Sequence, residues 1–111
     1  MARVLIVDPE PDLRLLAAEA VTELGHEAVM LEEPVPPTEA DILMIAPCDD
    51  MRGVVKRLRE ASQGLSVILV SVAAPGEDTR ALAPASYLAK PYTLEALHRA
   101  LDRALASREA A

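Results

Sequence analysis

The chain has no phenylalanine and no tryptophan, and only two tyrosines among its 111 residues, which excludes an aromatic core. A single cysteine, Cys48, rules out an internal disulfide and a cysteine-rich zinc site. No apolar run approaches the roughly 18 residues that a membrane-crossing helix needs. The N-terminus enters a strand pattern with no basic region or cleavage site before it, so the chain reads as cytoplasmic. Positive charge is also scarce: 11 Lys and Arg stand against 18 Asp and Glu, a net charge of −7. That balance lacks the basic footprint of a nucleic-acid binder, and direct nucleic-acid binding is not expected.

What is present is apolar residue, at 51% of the chain. Residues 1–111 therefore read as a single domain, long enough to bury a core without disulfide or structural metal. Charge is uneven along it. Residues 1–50 hold 12 acids and 2 bases, whereas residues 51–111 hold 6 acids and 9 bases, so the halves carry −10 and +3.

Short apolar runs alternate with helical stripes. Arg3–Val7 predicts a strand, and "DPEPD" after it a turn, with Pro11 suited to a first helical position. Leu13, Leu16, Ala17, Ala20, Val21 and Leu24 recur at helical spacing until Gly25, a natural stop. His26–Leu31 predicts a second strand and Ile42–Ala46 a third, separated by "EEPVPPTE", too proline-rich for a helix. Met51, Val54, Val55, Leu58 and Ala61 form another helical stripe, closed by Gly64. Ser66–Val72 predicts a fourth strand, Glu77–Leu82 a short helix and Tyr87–Ala89 a fifth strand. Thr93 can cap a last helix carrying Leu94, Leu97, Leu101, Ala104 and Leu105. Apolar strands alternating with amphipathic helices imply an α/β sandwich, a parallel sheet covered on both faces. In such sheets the functional crevice lies beyond the carboxyl ends of the strands. That rule selects Asp8, Ala46, Pro47, Ser71 and Lys90.

"VLIVDPEPDLRLLAAEAVTELGHEA", "ADILMIAP", "SVILVSVA" and "YLAKPYTLEAL", in that order and across nearly the whole chain, resemble the CheY-like receiver domain of two-component response regulators. The resemblance implies a flavodoxin-like three-layer sandwich with a five-stranded parallel sheet in the order 2-1-3-4-5. Receivers accept a phosphoryl group from a histidine kinase on an aspartate ending the third strand. A Mg²⁺ held by that aspartate and an acidic pair neutralises the phosphoryl oxygens. A lysine and a hydroxyl contact the phosphoryl group, and an aromatic residue responds. By this resemblance Asp8 matches the first acid, Ser71 the hydroxyl, Lys90 the lysine and Tyr87 the switch aromatic. Pro91 implies a cis Lys90–Pro91 peptide with a structural role.

Two positions depart from the pattern. Pro9 stands where the second acid belongs, and Ala46 where the phosphoacceptor belongs. A methyl group cannot accept a phosphoryl group, and Asp8 alone holds Mg²⁺ poorly. Placing Asp49 or Asp50 at the strand end would put Pro47 inside a central strand. "EEPVPPTE" replaces the family's second helix, lost or reduced here, and the fourth helix is shortened. The expectation is an atypical receiver in signal transduction or transcription control. It has no enzymatic activity and no cofactor, acts by phosphorylation-independent protein–protein interaction, and retains Asp8, Ser71 and Lys90 as a hydrogen-bonded remnant. Its partners would be proteins of bacterial signalling, a homodimer among the options, with a histidine kinase doubtful. The alternatives are a working phosphorelay regulator accepting on Asp49, Asp50 or Asp8, and a small-anion module using the vacated crevice.

Other residues are less telling. Tyr87 is either a vestige of the switch or an edge-strand tyrosine. Two adjacent aspartates disfavour a reactive Cys48 thiolate. Arg52, Lys56 and Arg59, and likewise Arg99 and Arg103, read as solvated helix faces. His26 and His98 are too isolated for a metal pair. Residues 34–37 read equally as a docking loop or a shortened crossover.

Overall fold

The computed structural model describes residues 2–31, 39–46, 51–71 and 84–110. The proline-rich segment 34–37, Pro47, Cys48, Asp49, Asp50, Val72 and the short helix expected over 77–82 lie outside them. The elements are β1 (Arg3–Val7), α1 (Pro11–Glu23), β2 (Glu27–Leu31), β3 (Ile42–Ile45), α2 (Met51–Ala61), β4 (Ser66–Ser71), β5 (Ser86–Ala89) and α3 (Leu94–Ala110). All strands are parallel, in the order β2-β1-β3-β4-β5, which is the flavodoxin-like arrangement.

Alternation along each strand divides the core in two, because successive side chains of a strand point to opposite faces. Val4, Ile6, Met44, Ile68 and Val70 face α1 and α3, meeting Ala17, Ala20, Val21, Leu97, Leu101 and Ala104. Leu5, Val7, Leu43, Ile45 and Leu69 face α2, meeting Val54, Val55 and Leu58. Ala17, Ala18 and Ala20 of α1 are buried in the half of the core that α1 and α3 cover, which is filled by aliphatic side chains without phenylalanine.

The helix ends follow local chemistry. Pro11 opens α1, and Gly25 follows its end with φ +84, in the left-handed region that glycine enters without a Cβ penalty. Its N–H donates to the Thr22 carbonyl at 2.9 Å. Thr93 Oγ1 accepts the Ala96 N–H at 3.1 Å, capping α3. Boundaries shift by a residue: β2 starts at Glu27, β3 stops at Ile45, and β5 includes Ser86. Leu24 and Leu94, placed on the apolar stripes by spacing, are 38% and 40% exposed, because each sits at a helix end beyond the sheet's cover. No helix among the described residues is long and apolar enough to cross a membrane.

Candidate functional site

Parallel pairing aligns the strand ends. Val7 of β1 pairs with Ile45 of β3, and the Ala46 N–H donates to the Val7 carbonyl at 3.0 Å. Asp8 and Ala46 thus leave neighbouring strands side by side, both buried. On β4, Ser71 pairs with Ala89, and its carbonyl accepts the Lys90 N–H at 3.0 Å. The sheet therefore brings Asp8, Ala46, Ser71 and Lys90 to one edge, although they come from four separate strands.

At that edge the Lys90 ammonium closes onto carboxylates. Its Nζ lies 3.0 Å from Asp8 Oδ2 and 3.2 Å from Asp8 Oδ1. It also donates to Glu10 Oε1 at 3.0 Å. The Asp8 side chain is only 6% exposed and that of Lys90 9%, while Glu10 reaches in from a position 60% exposed. Burial alone would lower the lysine's pKa. The hydrogen bonds and charges of Asp8 and Glu10 outweigh that penalty and hold it above the usual lysine value.

Three residues that the sequence did not single out complete the arrangement. Glu10 is one. The turn "DPE" folds so that the Glu10 N–H donates to Asp8 Oδ1 at 2.9 Å, which sets both carboxylates on the same side. This is the local turn an aspartate favours two residues ahead of itself, and it was the available signal. Arg14 Nη1 donates to the Asp8 carbonyl at 2.7 Å, tying the first turns of α1 to the end of β1. Tyr92, just beyond the cis Lys90–Pro91 peptide, donates its hydroxyl to the Leu13 carbonyl at 3.4 Å. Burial first, then the charges of Asp8 and Glu10, push the Tyr92 phenol up to about 12.

The remaining candidates lie elsewhere. Pro9 and Pro91 are exposed beside the crevice. Tyr87 is on the outward side of edge strand β5 and 39% exposed, opposite in direction to the buried Ser86 and Leu88. His26 Nδ1 accepts the Ala2 N–H at 3.0 Å, a structural contact at the far end of the sheet. Among the described residues no group of three His, Cys, Asp or Glu is placed to hold a metal ion. Arg99 pairs with Glu95 on the surface of α3 at 3.2 Å.

No family model and no curated protein matches the chain. Solved structures do. NtrX from Brucella abortus superposes with a TM-score of 0.79 at 18% identity, covering 98% of this chain, which spans only 27% of that protein. The chemotaxis protein CheY4 of Vibrio cholerae gives 0.79 at 19% identity, covering 94% of this chain and 98% of its own. An orphan response regulator of H. pylori gives 0.74 at 20% identity, over 93% and 95% of the two chains. With the strand order and the acid–lysine crevice, these likenesses identify the fold as that of the CheY-like response-regulator receiver domain.

Proposed function

We propose that this chain is an atypical receiver domain that signals by protein–protein interaction without accepting a phosphoryl group. The observation that carries the reading is the engagement of Lys90 by two carboxylates. Lys90, the group that would meet a phosphoryl oxygen, is held by Asp8 and Glu10, and the strand end beside it presents the methyl of Ala46. Phosphoryl transfer to a carboxylate needs that carboxylate at the strand end, and an octahedral oxygen site for Mg²⁺ beside it. Pro9 and Ala46 offer no oxygen from their side chains. Among the described residues the carboxylates at this end of the sheet are Asp8 and Glu10, and the Lys90 ammonium engages both, so these residues do not fit the ion. The reading is thus of a module with neither catalytic activity nor a metal cofactor. Its partners are signalling proteins, and its surface is set by folding rather than by modification. The likeness to an orphan regulator is in keeping with that role.

The small-anion alternative is weakened by the same geometry. An anion entering the crevice would have to displace Glu10 from Lys90 and approach the buried Asp8 charge. Intact-protein mass after incubation with Mg²⁺ and an acyl-phosphate donor tests the proposal. An unchanged mass supports it. A Mg²⁺-dependent phosphoryl adduct refutes it, and its location among Asp8, Asp49 and Asp50 would name the acceptor of a working phosphorelay regulator.

A further inference from the structure

Two helices on opposite faces of the sheet carry opposite, unpaired charge. On α1, Asp12, Glu19 and Glu23 are spaced by two turns and then one, so they share one outward stripe, and all are exposed. Leu15, one turn before Glu19, is 54% exposed beside that stripe. On α2, Arg52 and Lys56 are one turn apart and exposed, with the exposed Glu60 closing the row one turn further on. None of Asp12, Glu19, Glu23, Arg52 and Lys56 makes an ion pair with another described residue, whereas Arg57 and Arg59 of α2 are engaged elsewhere. The two stripes cannot meet within one molecule. α1 packs on one face of the sheet and α2 on the other, with both halves of the core between them.

We propose that the α1 stripe of one copy docks against the α2 stripe of a second copy, so that this domain associates with itself head to tail. Charge complementarity selects the occupant: the same chain carries both halves of the contact, while its net charge of −7 opposes the approach of a like copy from every direction until salt screens it. Leu15 and the aliphatic stems of Arg52 and Lys56 supply the apolar part of the contact. Because the two surfaces differ, the contact is heterologous. Each added copy leaves one acidic and one basic stripe open, and the assembly extends rather than closing as a two-fold dimer. The domain measures 30 × 28 × 25 Å, which sets the step of such a stack. The contact is weak, since exposed ion pairs gain little individually and are screened by salt. It makes no use of the crevice and stands whether or not Asp8, Asp49 or Asp50 is ever phosphorylated.

Sedimentation velocity across a concentration series tests it, at ionic strengths from about 0.1 M, where a screening length of about 10 Å damps the repulsion between whole copies but not the contact itself, to about 1 M, where it falls to about 3 Å. The wild-type chain is expected to show concentration-dependent growth in size at the lower ionic strength that disappears at the higher. The variant Arg52→Glu/Lys56→Glu has two acidic faces and the variant Glu19→Lys/Glu23→Lys two basic ones. Each alone is expected to self-associate at least about tenfold more weakly. An equimolar mixture of the two is expected to regain association, because every contact then pairs opposite stripes. All four substituted positions are exposed, and circular dichroism confirms that the variants are folded. A wild-type chain that stays monomeric at the lower ionic strength, variants that associate as the wild type does, or a mixture that gains nothing would each overturn the proposal.

Discussion

Replacing Lys90 with alanine removes the ammonium that lies 3.0 Å from both Asp8 Oδ2 and Glu10 Oε1. The two losses differ in size. Glu10 is 60% exposed, so its freed carboxylate returns to water and costs about 0–1 kcal/mol. Asp8 is 6% exposed and keeps only the Glu10 N–H among its described side-chain partners. Stripping a buried charge of its counter-ion costs about 3–5 kcal/mol when burial is complete. Partial access of water at the crevice mouth reduces that, and about 2–4 kcal/mol is expected in total. Urea unfolding at neutral pH measures it, with an unchanged denaturant slope as the check that only stability moved. Glu10→Gln should lose no more than about 1 kcal/mol in the same assay. A double-mutant cycle of Lys90→Ala with Asp8→Asn should show that most of the loss vanishes once the buried charge is gone. A Lys90→Ala loss below about 0.5 kcal/mol, the level of an ordinary surface substitution, would refute the view that the ammonium neutralises a buried carboxylate. The pH dependence has a definite sign. The folded-state pKa of Lys90 is raised above 10.5, so its contribution is fully present below that value and is lost as pH rises through the higher folded one.

Three further outcomes are expected. Tyr92, raised from 10.0 to about 12, is neutral in folded and unfolded chains below pH 10; stability falls between there and about 12 as the unfolded phenol ionises first. The difference between ultraviolet titrations of wild type and Tyr92→Phe should place the step near the upper value, and a step at the lower one would contradict the burial. Leu101→Ala, at a fully buried position of α3 against the sheet, should cost about 2–5 kcal/mol in chemical unfolding, while Leu94→Ala, at an exposed position, should cost far less. Pro9→Asp/Ala46→Asp restores carboxylates at the ends of β1 and β3, and calorimetry should show Mg²⁺ binding by the variant and none by the wild type; no binding by the variant would mean that the residues matched to the receiver pattern are misplaced.

Much of the fold was legible because parallel strands buried on both faces are simply apolar runs, and Val4–Val7, Ile42–Ile45 and Val67–Val70 announce themselves that way. The residues at the strand ends followed from the same reading, which is why Asp8, Ala46, Ser71 and Lys90 were recognisable as a group. Exposure at the helix ends was less legible. Helical spacing puts Leu24 and Leu94 on the apolar stripe, but spacing reports direction around the helix and not whether the sheet extends far enough to cover it. The partner of Lys90 was legible only by half. Asp8 follows from its place at the end of β1, whereas Glu10 reaches Lys90 only because the turn folds its N–H onto Asp8 and brings its carboxylate back beside the strand end.

By itself, then, the sequence determined which segments become strands and helices, where α1 and α2 stop, and that a methyl stands at the end of β3. Those are local consequences of side-chain period, of glycine's freedom and of residue identity. Only the tertiary structure decided that Lys90 is held by Glu10, 80 positions away, as well as by Asp8. It alone decided that the acidic stripe of α1 and the basic stripe of α2 look away from each other. Both depend on strand order and on which face each crossover helix covers, and these are set by packing the whole sheet rather than by any one segment.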